Sequence, residues 1–189
     1  IMKEFKANDY GTTAYHGDEG DFWNRNTVYP DMGIDKYEDI TQYEEKEGTN
    51  YGMGLGDKYF LEETAKKINQ KDGKNVSYVI SLTSHYPFVL PKDKKTLTLE
   101  KEMKDKMLWN YFESVHYTDK AIGKFINDIK KENKDTVFIL FGDHNGIFKD
   151  QKGDVDEWRN KQISDEEWIA KYSTIPFIVH YEGMEQVEI

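Results

Sequence analysis

The chain has 189 residues, enough for one domain with a substantial core, and its 36 acidic against 26 basic side chains leave a formal charge of −10. The cations are scattered among acids instead of lining a patch, which argues against nucleic acid as a partner and disfavours adhesion to anionic membranes. There is no cysteine, hence no disulfide framework and no thiolate chemistry, and no apolar run approaches the ~18 residues of a membrane span. Attraction of an anionic substrate would have to come from a local metal and a few placed cations, because the overall field opposes it. Residue 1 is Ile and neither end carries a targeting or terminal pattern, so the 189 residues are expected to be a portion of a longer protein.

Thr12 to His16 reads as a short strand leading into a loop over residues 17 to 21, after which Phe22-Trp23-Asn24-Arg25 opens a polar-aromatic stretch. Residues 26 to 56 hold Pro30, Gly33, Gly48, Gly52, Gly54 and Gly56 with few periodic signals, and a long irregular segment of this kind is usually functional or mobile. A helix is expected from Asp57, its N-cap, with Tyr59, Phe60, Thr64 and Ile68 at three- and four-residue spacing, ending near Asp72-Gly73. Val76 to Leu82 is a strand, with Thr83 to Phe88 as the loop at its carboxyl end, and residues 91 to 106 read as a solvated connection.

The strongest helical pattern runs from about Glu100 to Lys131, where Met103, Met107, Leu108, Tyr111, Phe112, Val115, Ile122, Phe125, Ile126 and Ile129 form one stripe. A strand over 136 to 142 follows, then an acidic loop, a short helix around Asp165 to Lys171 and a last strand over 175 to 181. Strands alternating with helices predict an α/β fold with a mostly parallel sheet flanked by helices.

The apolar run Phe138 to Phe141 ends abruptly in Gly142-Asp143-His144-Asn145-Gly146. A buried parallel strand would place Asp143 and His144 at its carboxyl end, where open α/β folds bind their ligands. Carboxylate beside imidazole suits Mn²⁺ or Zn²⁺; the alternative is a solvated turn, since Gly-Asp and Asn-Gly are common turn formers. Two other loops carry histidine beside a strand end: His16 with Asp18, and His85. Loops after successive parallel strands share one edge, so the three are expected to converge.

Arg25 offers a planar fork for phosphate or sulfate oxygens and Trp23 a flat wall with an N–H donor, the alternative being a core tryptophan and a surface ion pair. His85 precedes Tyr86-Pro87-Phe88 and is either a donor to an anionic oxygen or a surface histidine. His116, inside the long helix with Asp119 one turn away, and His180, late in a strand, read as structural. Glu44-Glu45 and residues 150 to 157 read as solvated faces, and no serine-protease order, phosphate-cradling glycine loop or zinc-protease helix occurs.

Phe22-Trp23-Asn24-Arg25, Asp57-Lys58-Tyr59-Phe60, Ser81 to Phe88 and Phe141 to Gly146, in this order over roughly residues 12 to 181, resemble the lipoteichoic acid synthase family. These are sulfatase-like glycerol phosphate transferases of the alkaline phosphatase superfamily. The resemblance implies that residues 1 to 189 form the carboxy-terminal portion of one sulfatase-like catalytic domain, with the sheet incomplete. It implies that Asp143 and His144 are ligands of one Mn²⁺, with Mg²⁺ or Zn²⁺ as alternatives, and that His16, Asp18, Trp23, Arg25 and His85 line the pocket for the glycerol phosphate head group.

It further implies an enzyme at the extracellular face of a bacterial membrane, tethered by segments outside this chain, that passes glycerol phosphate from a phosphatidylglycerol-type lipid to a growing teichoic acid polymer. In that family a threonine attacks the phosphorus, which is nucleophilic catalysis through a phospho-threonine. Neither Glu4 nor Thr12 or Thr13 sits in the family's nucleophile motif, so no catalytic residue is assigned and the chain alone is expected to be inactive. Alternatives are a sulfatase-like phosphodiesterase or phosphoethanolamine transferase, and a non-catalytic module that binds anionic wall polymer.

Overall fold

A computed structural model describes residues 1–98 and 106–185. In chain order these form α1 (Met2–Ala7), β1 (Gly11–His16), α2 (Arg25–Met32), β2 (Lys36–Glu38), β3 (Asn50–Tyr51), β4 (Gly54–Leu55), α3 (Asp57–Asn69), β5 (Asn75–Ile80), α4 (Met107–Glu132), β6 (Phe138–Phe141), α5 (Lys152–Arg159), α6 (Asp165–Tyr172) and β7 (Phe177–His180). The strand β1 lies at the centre of a parallel sheet in the order β2-β1-β5, paired with β5 from Gly11↔Asn75 to His16↔Ile80.

Alternation along β1 sends its side chains to two different layers. Tyr15, with Val79 of β5, packs against Phe60, Leu61, Ala65 and Ile68 of α3, Ala121 and Ile129 of α4, and Phe138 of β6. Ala14, with Tyr78 and Ile80, packs against Tyr29 of α2 and Ile34. Helices therefore cover both faces, as expected of an α/β sheet, and β1 is buried from Thr12 to His16.

Several segments differ from the sequence expectation. Residues 26 to 56 are not structureless: they supply α2, β2 and the short antiparallel pair β3-β4. The acidic stretch 150 to 157 falls largely in α5, which buries Val155 to 1% exposure and pairs Lys152 with Asp156 at 2.9 Å. The connection after β5, described to residue 98, is tied down by Glu113, whose carboxylate accepts from the backbone N–H of Thr96 and Leu97. The start expected for the long helix, including Met103, lies outside the described residues.

The strand β7 runs antiparallel to β6 instead of extending the parallel order. The path between them explains this. Val155 of α5 and Trp168 of α6 pack with Leu108 and Trp109 at the start of α4, so the chain stays at the end where β6 finished and re-enters from that side. His180 on β7 stacks on Phe138 at 6.3 Å and lies 3.4 Å from Lys130 Nζ, a structural placement as expected.

Candidate active site

His16 ends β1 with 0% exposure, and Arg25 opens α2. Between them Trp23 (φ 58°) and Asn24 (φ 55°) adopt left-handed backbone, which turns the chain so that the guanidinium folds back over the strand end. Such a conformation costs of order 1–3 kcal/mol in a bulky residue and persists only where surrounding structure imposes it. Arg25 Nη1 lies 3.2 Å from His16 Nδ1 and 3.3 Å from Nε2, and the guanidinium sits 5.6 Å above the Phe22 ring. Burial first, and the Arg25 charge second, hold the His16 imidazole down to about 4, with Asp39 opposing. His16 is therefore neutral at pH 7 and accepts from the guanidinium.

Trp23 is 77% exposed. It is no core residue; its indole meets the Phe22 ring edge to face at 5.8 Å, and Phe22 is the ring that Arg25 overlies. Asp18 closes its own turn, its carboxylate accepting from Glu19 N–H at 2.8 Å and its carbonyl from Ile40 N–H at 3.1 Å.

The run 138–141 is not the buried parallel strand expected: β6 pairs only with β7, outside the β2-β1-β5 sheet, and leaves Ile139 and Phe141 exposed, yet the loops after β5 and β6 still meet. The His85 and His144 rings stand edge to face, 5.6 Å apart at 87°. His85 Nδ1 is 2.6 Å from the Tyr86 carbonyl and His144 Nδ1 is 2.9 Å from the Asn145 carbonyl. A carbonyl only accepts, so each ring donates from Nδ1 and keeps the Nε2 lone pair available, the tautomer that metal-ligating and proton-accepting histidines need. His144 Nε2 lies 3.8 Å from Asp143 Oδ1, and both side chains are at least half exposed.

An oxygen and an imidazole nitrogen side by side at an open loop fit a divalent metal. Among the described residues no group of three or more His, Cys, Asp or Glu side chains closes a ligand shell, so the pair supplies part of one. The two halves of the site are linked through Tyr78: burial raises its hydroxyl, the charge of Asp143 raises it further, and Arg25 lowers it. Tyr37, likewise pushed up to about 12 by burial and eased down by Arg25, completes the aromatic surround of the guanidinium.

Three further residues shape the site, and two of them, Tyr111 and Tyr78, belong to no motif of the sequence. Tyr111 of α4 lies under both loops: its ring is 5.3 Å from Phe88, and a Cβ on Gly146 would run into it. Tyr78 looks like any strand aromatic. Asp57, expected as an N-cap, is instead the first helical residue after the N-cap Gly56, and its carboxylate accepts from the backbone N–H of Leu82 at 2.8 Å and of Thr83 at 3.2 Å. In the sequence it opens one of the four motifs, but an acid at a helix start has a commoner explanation. An open cavity of about 460 Å³ lined by Gly11, Thr13, Lys36, Lys71 and Asn75 lies at the opposite, amino-terminal ends of β1 and β5.

The sulfatase family model matches residues 1–188. A lipoteichoic acid synthase-like protein, YvgJ of Bacillus subtilis (strain 168), is 32% identical over 186 residues, covering 97% of this chain and 30% of its own. The lipoteichoic acid synthase of Staphylococcus aureus (strain USA300) is 34% identical over 158 residues, covering 82% of this chain and 24% of its own. The crystal structure of the lipoteichoic acid synthase LtaP from Listeria monocytogenes superposes with a TM-score of 0.84 at 34% identity, over 98% of this chain and 46% of that one. The chain thus spans 30% of the length of one of these curated relatives and 24% of the other. The fold is that of the alkaline phosphatase and sulfatase enzymes, and with the family model matched along its whole described length this chain belongs to the sulfatase family.

Proposed function

We propose that this chain is the carboxy-terminal portion of a catalytic domain that transfers glycerol phosphate from a phosphatidylglycerol-type lipid to a growing lipoteichoic acid polymer, at the extracellular face of a bacterial membrane. The observation that carries the reading is the meeting of His85 and His144 beside Asp143, together with the His16–Arg25 pair at the end of β1, the neighbour of the strand that leads to His85. Relatives bearing the synthase name support it.

Each residue has a role its chemistry suits. The Arg25 guanidinium is a planar fork of N–H donors and donates to two phosphate oxygens at once. His16, neutral and buried, holds the guanidinium without competing for the anion. Trp23 supplies a flat wall for the glycerol carbons, Asp18 lies at the pocket's rim, and His85 presents an Nε2 lone pair that accepts a proton from a hydroxyl of the substrate. Asp143 and His144 would hold Mn²⁺, which when bound supplies positive charge against the developing oxyanion.

The nucleophilic threonine and the remaining metal ligands would come from chain outside residues 1–189, tethered to the membrane, so the 189 residues alone turn over no substrate. Mn²⁺ titration by calorimetry tests this, on the chain as it stands and on a version extended to the length of its relatives, each with Asp143→Ala beside it. Tight binding in the extended version, lost on substitution, is expected. No binding in either would replace the transferase reading with a non-catalytic module for anionic wall polymer.

A further inference from the structure

We infer that Asp57 is a positioning residue for His85, setting the His85–His144 separation through a buried clasp on the loop after β5. The inference rests on the reading that His85 works at the proposed site. Asp57 has 0% exposure. Its Oδ1 accepts from Leu82 N–H at 2.8 Å, and its Oδ2 accepts from Thr83 N–H at 3.2 Å and from the Thr118 hydroxyl at 2.6 Å. In return the Asp57 N–H donates to Thr83 Oγ1 at 2.9 Å. One side chain therefore joins the start of α3, the middle of α4 and Leu82 and Thr83 of the loop.

From that clasp the loop continues by short bonds. His85 N–H donates to the Leu82 carbonyl at 2.9 Å, and Phe88 N–H donates to the His85 carbonyl at 2.9 Å. Phe88 is 2% exposed and its ring lies 5.3 Å from Tyr111 of α4. His85 is thus suspended between two buried anchors on α4, one polar and one aromatic.

The residue type follows from the task. Capping α3 needs one acceptor, which Asn or Ser would provide as well. Accepting from three donors on both oxygens suits a carboxylate, because the amide of Asn has a single acceptor oxygen and presents N–H donors where Thr83 N–H must bond. A buried carboxylate with no cation among its hydrogen-bond partners is costly to keep. A helix start alone does not require that cost.

The test is NMR on the isotopically labelled chain, comparing wild type with Asp57→Asn. In wild type the His85 and His144 ring protons should share an Overhauser contact, the Leu82 and Thr83 amides should exchange slowly, and added Mn²⁺ should broaden both rings. In Asp57→Asn the ring contact should be lost and the two amides exchange at least about tenfold faster, as for a lost buried hydrogen bond. Mn²⁺ should still broaden His144 at the same midpoint but no longer His85. His16 and His180 should keep their wild-type shifts, which a general loosening would move.

A folded Asp57→Asn chain that keeps the ring contact overturns the inference, as does fast exchange at Thr83 in wild type. Should Asp57→Asn fail to fold, Thr118→Val removes the hydroxyl bond to the Asp57 carboxylate at constant shape and is read identically, retention of the contact again overturning it. If Mn²⁺ broadens neither ring in the 189-residue chain, where the pair is only part of a ligand shell, the titration of the extended version decides the metal reading, while the ring contact still decides the role of Asp57.

Discussion

His85 and His144 leave the ends of two different strands, yet their imidazoles meet edge to face with centroids 5.6 Å apart. The long helix between them makes this meeting reproducible: Tyr111 of α4 packs on Phe88 beyond one histidine and against Gly146 beyond the other. The junction of the two loops is therefore a property of the helix beneath them as much as of the loops.

His16 makes stability depend on pH in a definite direction. Its folded value is about 4, below the ordinary 6.5, so between these values the unfolded chain binds a proton that the folded chain does not. Stability falls as pH drops through that window and levels off below it, a loss of about 2 kcal/mol by about pH 5. Urea unfolding at pH 7 and pH 5, with His16→Asn as reference, isolates this contribution, and a His16 NMR midpoint near 6.5 would refute it.

Arg25 contributes both a charge and a fork, and two variants separate them. Arg25→Gln should raise the His16 midpoint, because the cation that opposes protonation is gone. Arg25→Lys should leave that midpoint nearly unchanged yet weaken binding of glycerol phosphate by the extended protein, since an ammonium cannot form the bidentate pair. NMR titration and calorimetry read the two effects.

Gly54 and Gly146 are tight for different reasons. A Cβ on Gly54 would strike the Gly17 carbonyl, which accepts from Leu55 N–H at 2.8 Å and anchors the loop after His16. Gly54→Ala should cost about 1–3 kcal/mol by overpacking, measurable as a lower denaturation midpoint. Gly146→Ala should instead displace Tyr111 and move the His144 resonance, with the smaller stability loss.

The β6–β7 ribbon exposes Ile139, Phe141, Phe177 and Val179, which form the cross-strand pairs Ile139↔Val179 and Phe141↔Phe177. A contiguous apolar face of this kind is unusual on a protein surface and favours association. The 189-residue chain should bind a hydrophobic dye and self-associate at micromolar concentration by light scattering. Ile139→Thr with Phe177→Lys should reduce both without lowering the thermal midpoint, and the extended protein should show neither.

Periodicity and residue type were sufficient for β1, α3, β5, α4 and β6, because each buries a face whose spacing is written locally: Tyr59, Phe60, Thr64 and Ile68 along α3, for example, or the apolar run from Phe138 to Phe141. The same holds for the residues at strand ends, since His16, His85, Asp143 and His144 were placed simply by where the apolar runs stop. Local pattern says that a face is buried and not what lies opposite it. Hence α2 and β2, short and weakly periodic, look like loop, and the run 138–141 looks like a buried parallel strand although it pairs antiparallel with β7, because α5 and α6 return the chain on the side it left. Asp57 shows the limit most sharply. An acid at a helix start has a local partner in its own first turn, whereas its actual partners, Leu82, Thr83 and Thr118, come from a loop and a helix that only packing brings to it.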